Sequence, residues 1–322
     1  MPGRFAERHL TSAAAAGPPE FPNSTLVPTY HSLGTDIAEA TIPLHPSCEQ
    51  AILRIEEASI AGDLPTVQRI FNELRGSSDG DHWLTGPGSS LFLAIRNGHK
   101  AVVEYLLRQG VSLDINHIQA AIVNKDKRVL ELFLGYGWDI NKPMEWAVPP
   151  PLALAVEDAD LISWFLSHGA NPDAGCQLDL TPLSYAVQYA PLDIIKTLFD
   201  HGGAVRTGQL LHYAVRRDQP DILEVLAYLL NKGASVNDVM YQHHPDSYRL
   251  QQAFGLGTPL HEAAQLGKLE VIRFLLEHGA DPNVVDSLGQ TVVERATIYG
   301  HPEVAAFLGR TTSTTQQATL GE

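Results

Sequence analysis

Few residues in this chain are grouped so that they could do chemistry. His261-Glu262-Ala263-Ala264-Gln265 starts like the helical two-histidine zinc pattern, but Gln265 stands where the second histidine is required. One His and one Glu cannot hold a catalytic zinc, which takes three protein ligands. His243-His244 with Asp246 offers metal-type ligands, yet adjacent loop histidines seldom point the same way and no Cys accompanies them. Gly86-Pro87-Gly88 is too short to cradle phosphate and lacks a following Lys-Ser/Thr. Neither Cys48 nor Cys176 has the neighbours of a nucleophile, and there is no Gly-x-Ser-x-Gly elbow. Trp83, Trp138, Trp146 and Trp164 are scattered, and Trp164 falls on an apolar helical stripe that marks it as core. The expectation is a chain with no catalytic residues, no metal site and no cofactor.

Composition narrows the remaining classes. The 322 residues carry a net charge of −15, and no block of Lys or Arg occurs. An acidic chain is repelled by phosphate backbones and anionic lipid, which argues against direct nucleic-acid or membrane binding. No apolar run reaches the roughly 18 residues of a membrane span. Two distant cysteines make no disulfide framework, and Ala13–Ala16 is too short for a secretory core. A cytoplasmic or nuclear protein, monomeric, is expected.

The elements that position the side chains are repetitive. Residues 1–47, rich in Ala, Pro, Ser, Thr and Gly, read as a flexible tail, and 311–322 read the same way. Between them, 48–310 repeats one pattern. Its clearest copy is Thr258-Pro259-Leu260-His261-Glu262-Ala263-Ala264, then Gly267, Val271-Ile272, Leu275-Leu276, Gly279-Ala280 and Asn283. The skeleton recurs with Thr291 and Ala296, with Thr181-Pro182-Leu183 and with Leu211-His212. Weaker copies begin near Leu91, Ala121 and Pro151, and a worn one near Ala58 makes eight units. Thr before Pro caps a helix that tolerates Pro in its first turn. The Val-Val-x-x-Leu-Leu spacing gives the second helix an apolar stripe, and Gly-Ala ends it at positive φ. A lone helix pair cannot bury that stripe, so the units must stack.

Thr258–Asn283, followed by Asp286, Gly289 and Thr291, resembles an ankyrin repeat, and the likeness extends over about four-fifths of the chain. The resemblance implies an all-α solenoid of stacked helix pairs with short β-hairpin loops, and a protein-binding adaptor or scaffold. It explains His261 as a helix histidine bonded to neighbouring backbone. The third unit is short between Asp114 and Ile118, which predicts a trimmed hairpin, and the fourth lacks Gly-His before Leu161-Ile162.

The resemblance also places a partner on the concave face, at two variable positions per unit. These are Arg96-Asn97, Val123-Asn124, Glu157-Asp158, Gln188-Tyr189, Arg216-Arg217, Gln265-Leu266 and Ile298-Tyr299. Tyr and Arg are types enriched in binding hot spots. Residues 238–257 add roughly a dozen residues to the period and are read as an unstructured loop projecting from the hairpin side. Tyr241, Tyr248, Arg249 and Phe254 are its candidate contacts. A transcriptional co-regulator acting through a DNA-binding partner is the alternative role, carried by the resemblance alone.

Overall fold

The inner units turn their apolar stripes into helix pairs whose first helix is short and whose second is amphipathic. The computed structural model describes residues 46–75 and 88–319. The pairs are α1 (Pro46–Ala61) with α2 (Leu64–Arg75), α3 (Gly88–Arg96) with α4 (Lys100–Arg108), and α5 (Ile115–Val123) with α6 (Lys127–Gly135). Next, a 3₁₀ turn Pro151–Ala155 pairs with α7 (Ala159–Ser167). Then come α8 (Pro182–Tyr189) with α9 (Leu192–Asp200) and α10 (Leu210–Val215) with α11 (Ile222–Asn231). After an inserted α12 (Pro245–Gln251) follow α13 (Pro259–Gln265) with α14 (Leu269–Glu277), and α15 (Val292–Ile298) with α16 (Pro302–Thr319). First helices of successive pairs pack on one another, α8 on α10, α10 on α13, and α13 on α15. The core lies between the two helix layers, where pairs such as Val102-Val103, Leu106-Leu107 and Ile194-Ile195 are buried.

Caps and cross-unit bonds set the register. Ser184 N–H donates to Thr181 Oγ1 at 3.1 Å, and Thr181 N–H returns a bond to Ser184 Oγ at 3.0 Å. His117 and His261 occupy the same place in α5 and α13. In each, Nδ1 accepts from the capping residue's N–H and Nε2 donates across to a neighbouring unit, Gly88 O at 2.8 Å and Gln290 O at 3.2 Å. These buried histidines are structural, each satisfied at both nitrogens.

The turn between helices closes with glycine where the chain must go left-handed. Gly267 has φ +68°, and a Cβ there would strike the His301 ring, whose Nε2 bonds Gln265 O at 2.9 Å. Gly267→Ala is therefore expected to lose roughly 1–3 kcal/mol through backbone strain and the displaced ring. A urea midpoint unchanged from wild type would contradict this.

Several irregularities have local causes. Pro149, Pro150 and Pro151 restrict the backbone at the fourth unit and remove amide donors, so its first helix is only a 3₁₀ turn. The missing Gly-His is replaced by Asp158, whose carboxylate caps α7 by accepting from Asp160 N and Leu161 N, both at 3.0 Å. Asp114 caps α5 immediately after Val111–Leu113, so the hairpin before it is trimmed. Among the described residues the hairpins form turns, with one isolated β-bridge between Glu145 and Val148. Helix α16 runs on through 311–319, into the segment read from composition as a tail. Residues 1–45, Trp83 and Gly86-Pro87 lie outside the described residues.

The inserted segment 238–257 is not the unstructured projection that its length implied. It forms α12 and a 3₁₀ turn Gln252–Phe254, and it buries Met240, Tyr241, Ser247 and Leu256 against the array. These four buried side chains contribute to the ordering of the segment, together with its hydrogen bonds to the array.

Candidate functional site

The ends of the first helices present two residues per unit to one face, and the structure gives those residues different tasks. Arg96 and Asn97 are exposed, with the Arg96 guanidinium 5.8 Å from the Phe92 ring centre. Val123 is 74% exposed and Ile298 61%, while Leu266 and Tyr299 are each 39% exposed. These exposed apolar side chains fall in the third, seventh and eighth units. Glu157 is exposed beside them, and Gln188 and Tyr189 are half-buried.

Other predicted contacts are committed to the array itself. Asn124 donates from Nδ2 to Ile95 O at 2.7 Å, tying its unit to the one before. Gln219 and Lys268 make the same backward bond, to Tyr189 O at 3.3 Å and Arg217 O at 2.7 Å. Asp158 is a cap and an ion pair. Its bond to Lys125 Nζ, 2.6 Å away, holds the carboxyl below the usual carboxylate range. Gln265 accepts from Arg295 Nη1 at 2.8 Å.

Arg217 and Tyr241 correct the sequence reading. Arg217 is 2% exposed, with Nε and Nη2 on the two oxygens of Asp221 at 2.6 and 2.7 Å. Tyr241 is 3% exposed, packed beside the Tyr213 phenol. Position in the repeat suggested exposure for Arg217 and place in the inserted loop suggested it for Tyr241, but a bidentate carboxylate and the fold of the insert draw them inward. Arg216 is also largely engaged. Its Nε donates to Glu262 Oε1 at 2.7 Å and its guanidinium lies 4.9 Å from the Tyr213 ring centre. Burial pushes the Glu262 carboxyl up, but Arg216 more than offsets this and the group sits below its ordinary range.

The sequence reading overlooked a second line of positions. The fourth residue after each cap gives Leu154, Tyr185, Tyr213, Glu262 and Arg295, all on the same helix face. Leu154 is 39% exposed, and the other four are covered to a far greater degree. Counting from the cap, and not only from the paired small residues, would have found them.

The insert carries its own outer surface. Tyr248 and Arg249 line a cavity of about 410 Å³ with Val239, Gln242, Pro245 and Val285. Arg249 is paired with Asp246, and Leu250 and Phe254 are exposed nearby in sequence. His244 caps α12 through Ser247 N, while His243 Nε2 lies 3.3 Å from Asp238, so the two rings serve different partners. Among the described residues no three His, Cys, Asp or Glu side chains gather as a metal site. Burial pushes the Cys176 thiol up, which disfavours the thiolate a nucleophile requires. No described helix is long and apolar enough to cross a membrane.

Comparison with known proteins agrees with this architecture. A family model described as ankyrin repeats matches residues 117–209, 152–240 and 211–317, and a single-repeat model matches 89–118. The chain is similar to the ankyrin repeat protein nuc-2 of Neurospora crassa, 27% identical over 154 residues, covering 46% of this chain and 13% of that protein. It is 28% identical over 128 residues to a putative palmitoyltransferase ZDHHC13 of Danio rerio, covering 38% of this chain and 18% of that protein. It is 48% identical over 54 residues to a probable E3 ubiquitin-protein ligase XBOS33 of Oryza sativa, covering 17% and 10%. In each case the match spans less than a fifth of the relative's length.

Proposed function

The chain belongs to the ankyrin-repeat family, and from that premise we propose that it is a non-catalytic adaptor that binds partner proteins through the first-helix face. The observation that supports the reading is that Val123, Leu154, Leu266 and Ile298, on or beside the first helices, are apolar and exposed, while Leu53, Ile60, Leu250, Val285 and Leu288 are exposed elsewhere. Arg96 and Glu157 flank its first half, so a segment with an acidic group, apolar anchors and then a basic group would be complementary. Tyr189, Tyr299 and the outer residues Tyr248, Arg249 and Phe254 are further contacts in this proposal. A preformed surface loses little ordering entropy on binding, so a few anchors can supply most of the affinity.

Substitutions at exposed anchors separate binding from folding better than changes at Arg216 or Arg217, which hold the array together. Val123→Glu with Leu154→Glu and Ile298→Glu is expected to abolish affinity capture of partners from native extract, with circular dichroism and urea midpoint close to wild type. Retained capture by this triple variant would remove the first-helix face from the proposal.

A further inference from the structure

In a repeat stack each unit normally touches only its neighbours, so stability is a sum of nearest-neighbour terms. The insert breaks that rule. Ser247 Oγ donates to Gln177 O at 3.1 Å, reaching back past the α10–α11 pair to the hairpin before α8. In the forward direction, Leu256 N–H donates to Ser287 Oγ at 2.7 Å, and Ser287 N–H donates to Leu256 O at 2.9 Å. Ser287 Oγ also donates to Gln252 O at 2.6 Å, and Arg295 of α15 bonds Gly255 O. His212 Nε2 of α10 donates to Gly257 O at 3.0 Å. One segment is thus bonded to the hairpin before α8, to α10, and to both the hairpin before α15 and α15 itself.

The backbone is arranged to hold this segment. The described non-glycine residues with left-handed φ are Lys125, Asp179, Gln209 and Tyr241, and the last three form one hydrogen-bonded chain. Asp179 accepts from Gln209 Nε2 at 2.6 Å, and Gln209 Oε1 accepts from Tyr241 N–H at 2.8 Å. In the last hairpin the position equivalent to Asp179 is Gly289, which takes positive φ at no steric cost. Strained non-glycine backbone persists only where surrounding structure compensates for it. Here the compensation is a side-chain ladder across three successive hairpins that ends on the insert.

We propose that residues 238–257 act as a strap that joins the units from α8 to α15 into one cooperative block, coupling second neighbours that the helix stack alone leaves independent. Tyr241 of the strap bonds the Tyr213 phenol, and Arg216 pairs with Glu262, so the central first-helix face is filled from within. The open face lies on either side of it, at Val123–Leu154 and at Leu266–Ile298.

Hydrogen exchange on the full chain in mild urea tests this through Gln209→Asn combined with Ser247→Ala. Asn is easier than Gln at positive φ but one methylene too short to reach both Asp179 and Tyr241, so backbone relief and bond loss have opposite effects. In the wild type, amides of α8, α10, α13 and α15 are expected to exchange with a common urea dependence. In the double variant, α8 should exchange at least about tenfold faster than α13, and the common dependence should disappear. Unchanged exchange, or acceleration confined to 238–257, would overturn the strap. Val123 and Leu154 lie outside the block and Leu266 and Ile298 within it, but neither substitution of this test alters any of the four, so either result leaves the binding proposal to its own test.

Discussion

Asp286→Ala is expected to cost about 3–5 kcal/mol, the largest single loss among polar substitutions in this chain. The Asp286 side chain is fully covered and that of Arg295 is 5% exposed, and Asp286 Oδ2 accepts from Arg295 Nη2. Asp286 Oδ1 also accepts from Leu288 N at 2.8 Å and Gln290 N at 2.9 Å, which shapes the turn that leads to the Thr291 cap. Removing the carboxylate leaves a buried guanidinium with only neutral acceptors, Gly255 O and Gln265 Oε1, and leaves two turn amides without their acceptor. Asp286→Asn keeps an oxygen for those amides but not the charge, so its loss should be smaller than that of Ala. Glu73→Ala, which breaks the exposed pair with Arg69, should change stability by less than about 1 kcal/mol. Urea denaturation ranks the three. An Asp286→Ala midpoint equal to that of Glu73→Ala would show that the pair contributes nothing beyond a surface contact.

Stability should fall as the solution is acidified from pH 7 to pH 5, by about 2 kcal/mol from His212 alone. Burial lowers the His212 pKa to about 4 from 6.5. The unfolded chain therefore binds a proton near pH 6.5 while the folded chain does not, and the unfolded state is favoured as pH falls between those values. The contribution is complete above 6.5 and is lost on approaching 4. Glu262 and Asp238 favour the charged ring and Arg216 opposes it, but desolvation dominates. His261, also buried and also lowered, acts in the same direction. Asp179, whose pKa burial raises, acts in the opposite direction at lower pH. His212→Gln has no proton to bind, so its pH 7 to pH 5 loss should be smaller than wild type by about the His212 share. Equal losses in the two proteins would mean that His212 titrates normally in the folded state.

The helix pairs were legible because their causes are local. Thr-Pro caps, the apolar stripe at i, i+3 and i+4, and glycine between helices act within a single unit, so the order of residues alone specifies them. Asp114 capping α5 and the interruption before Leu161 were readable for the same reason. The positions proposed for a partner came from the resemblance to ankyrin repeats, and of these Val123, Leu266, Ile298 and Tyr299 are exposed. Which residues on that face are free was decided only by tertiary structure. Arg217 faces inward because Asp221 stands across the turn between α10 and α11, Asn124 is spent on Ile95 O, and Arg216 on Glu262 46 residues on. The insert shows the difference most clearly. Its length and place are evident in the sequence, but its order depends on Gln177, Gln209 and Ser287, which reach it through bonds spanning 70, 32 and 31 to 35 residues. Local patterns carry no record of such partners, because a side chain's donor capacity is fixed by its type while its acceptor is fixed by how the chain folds back on itself.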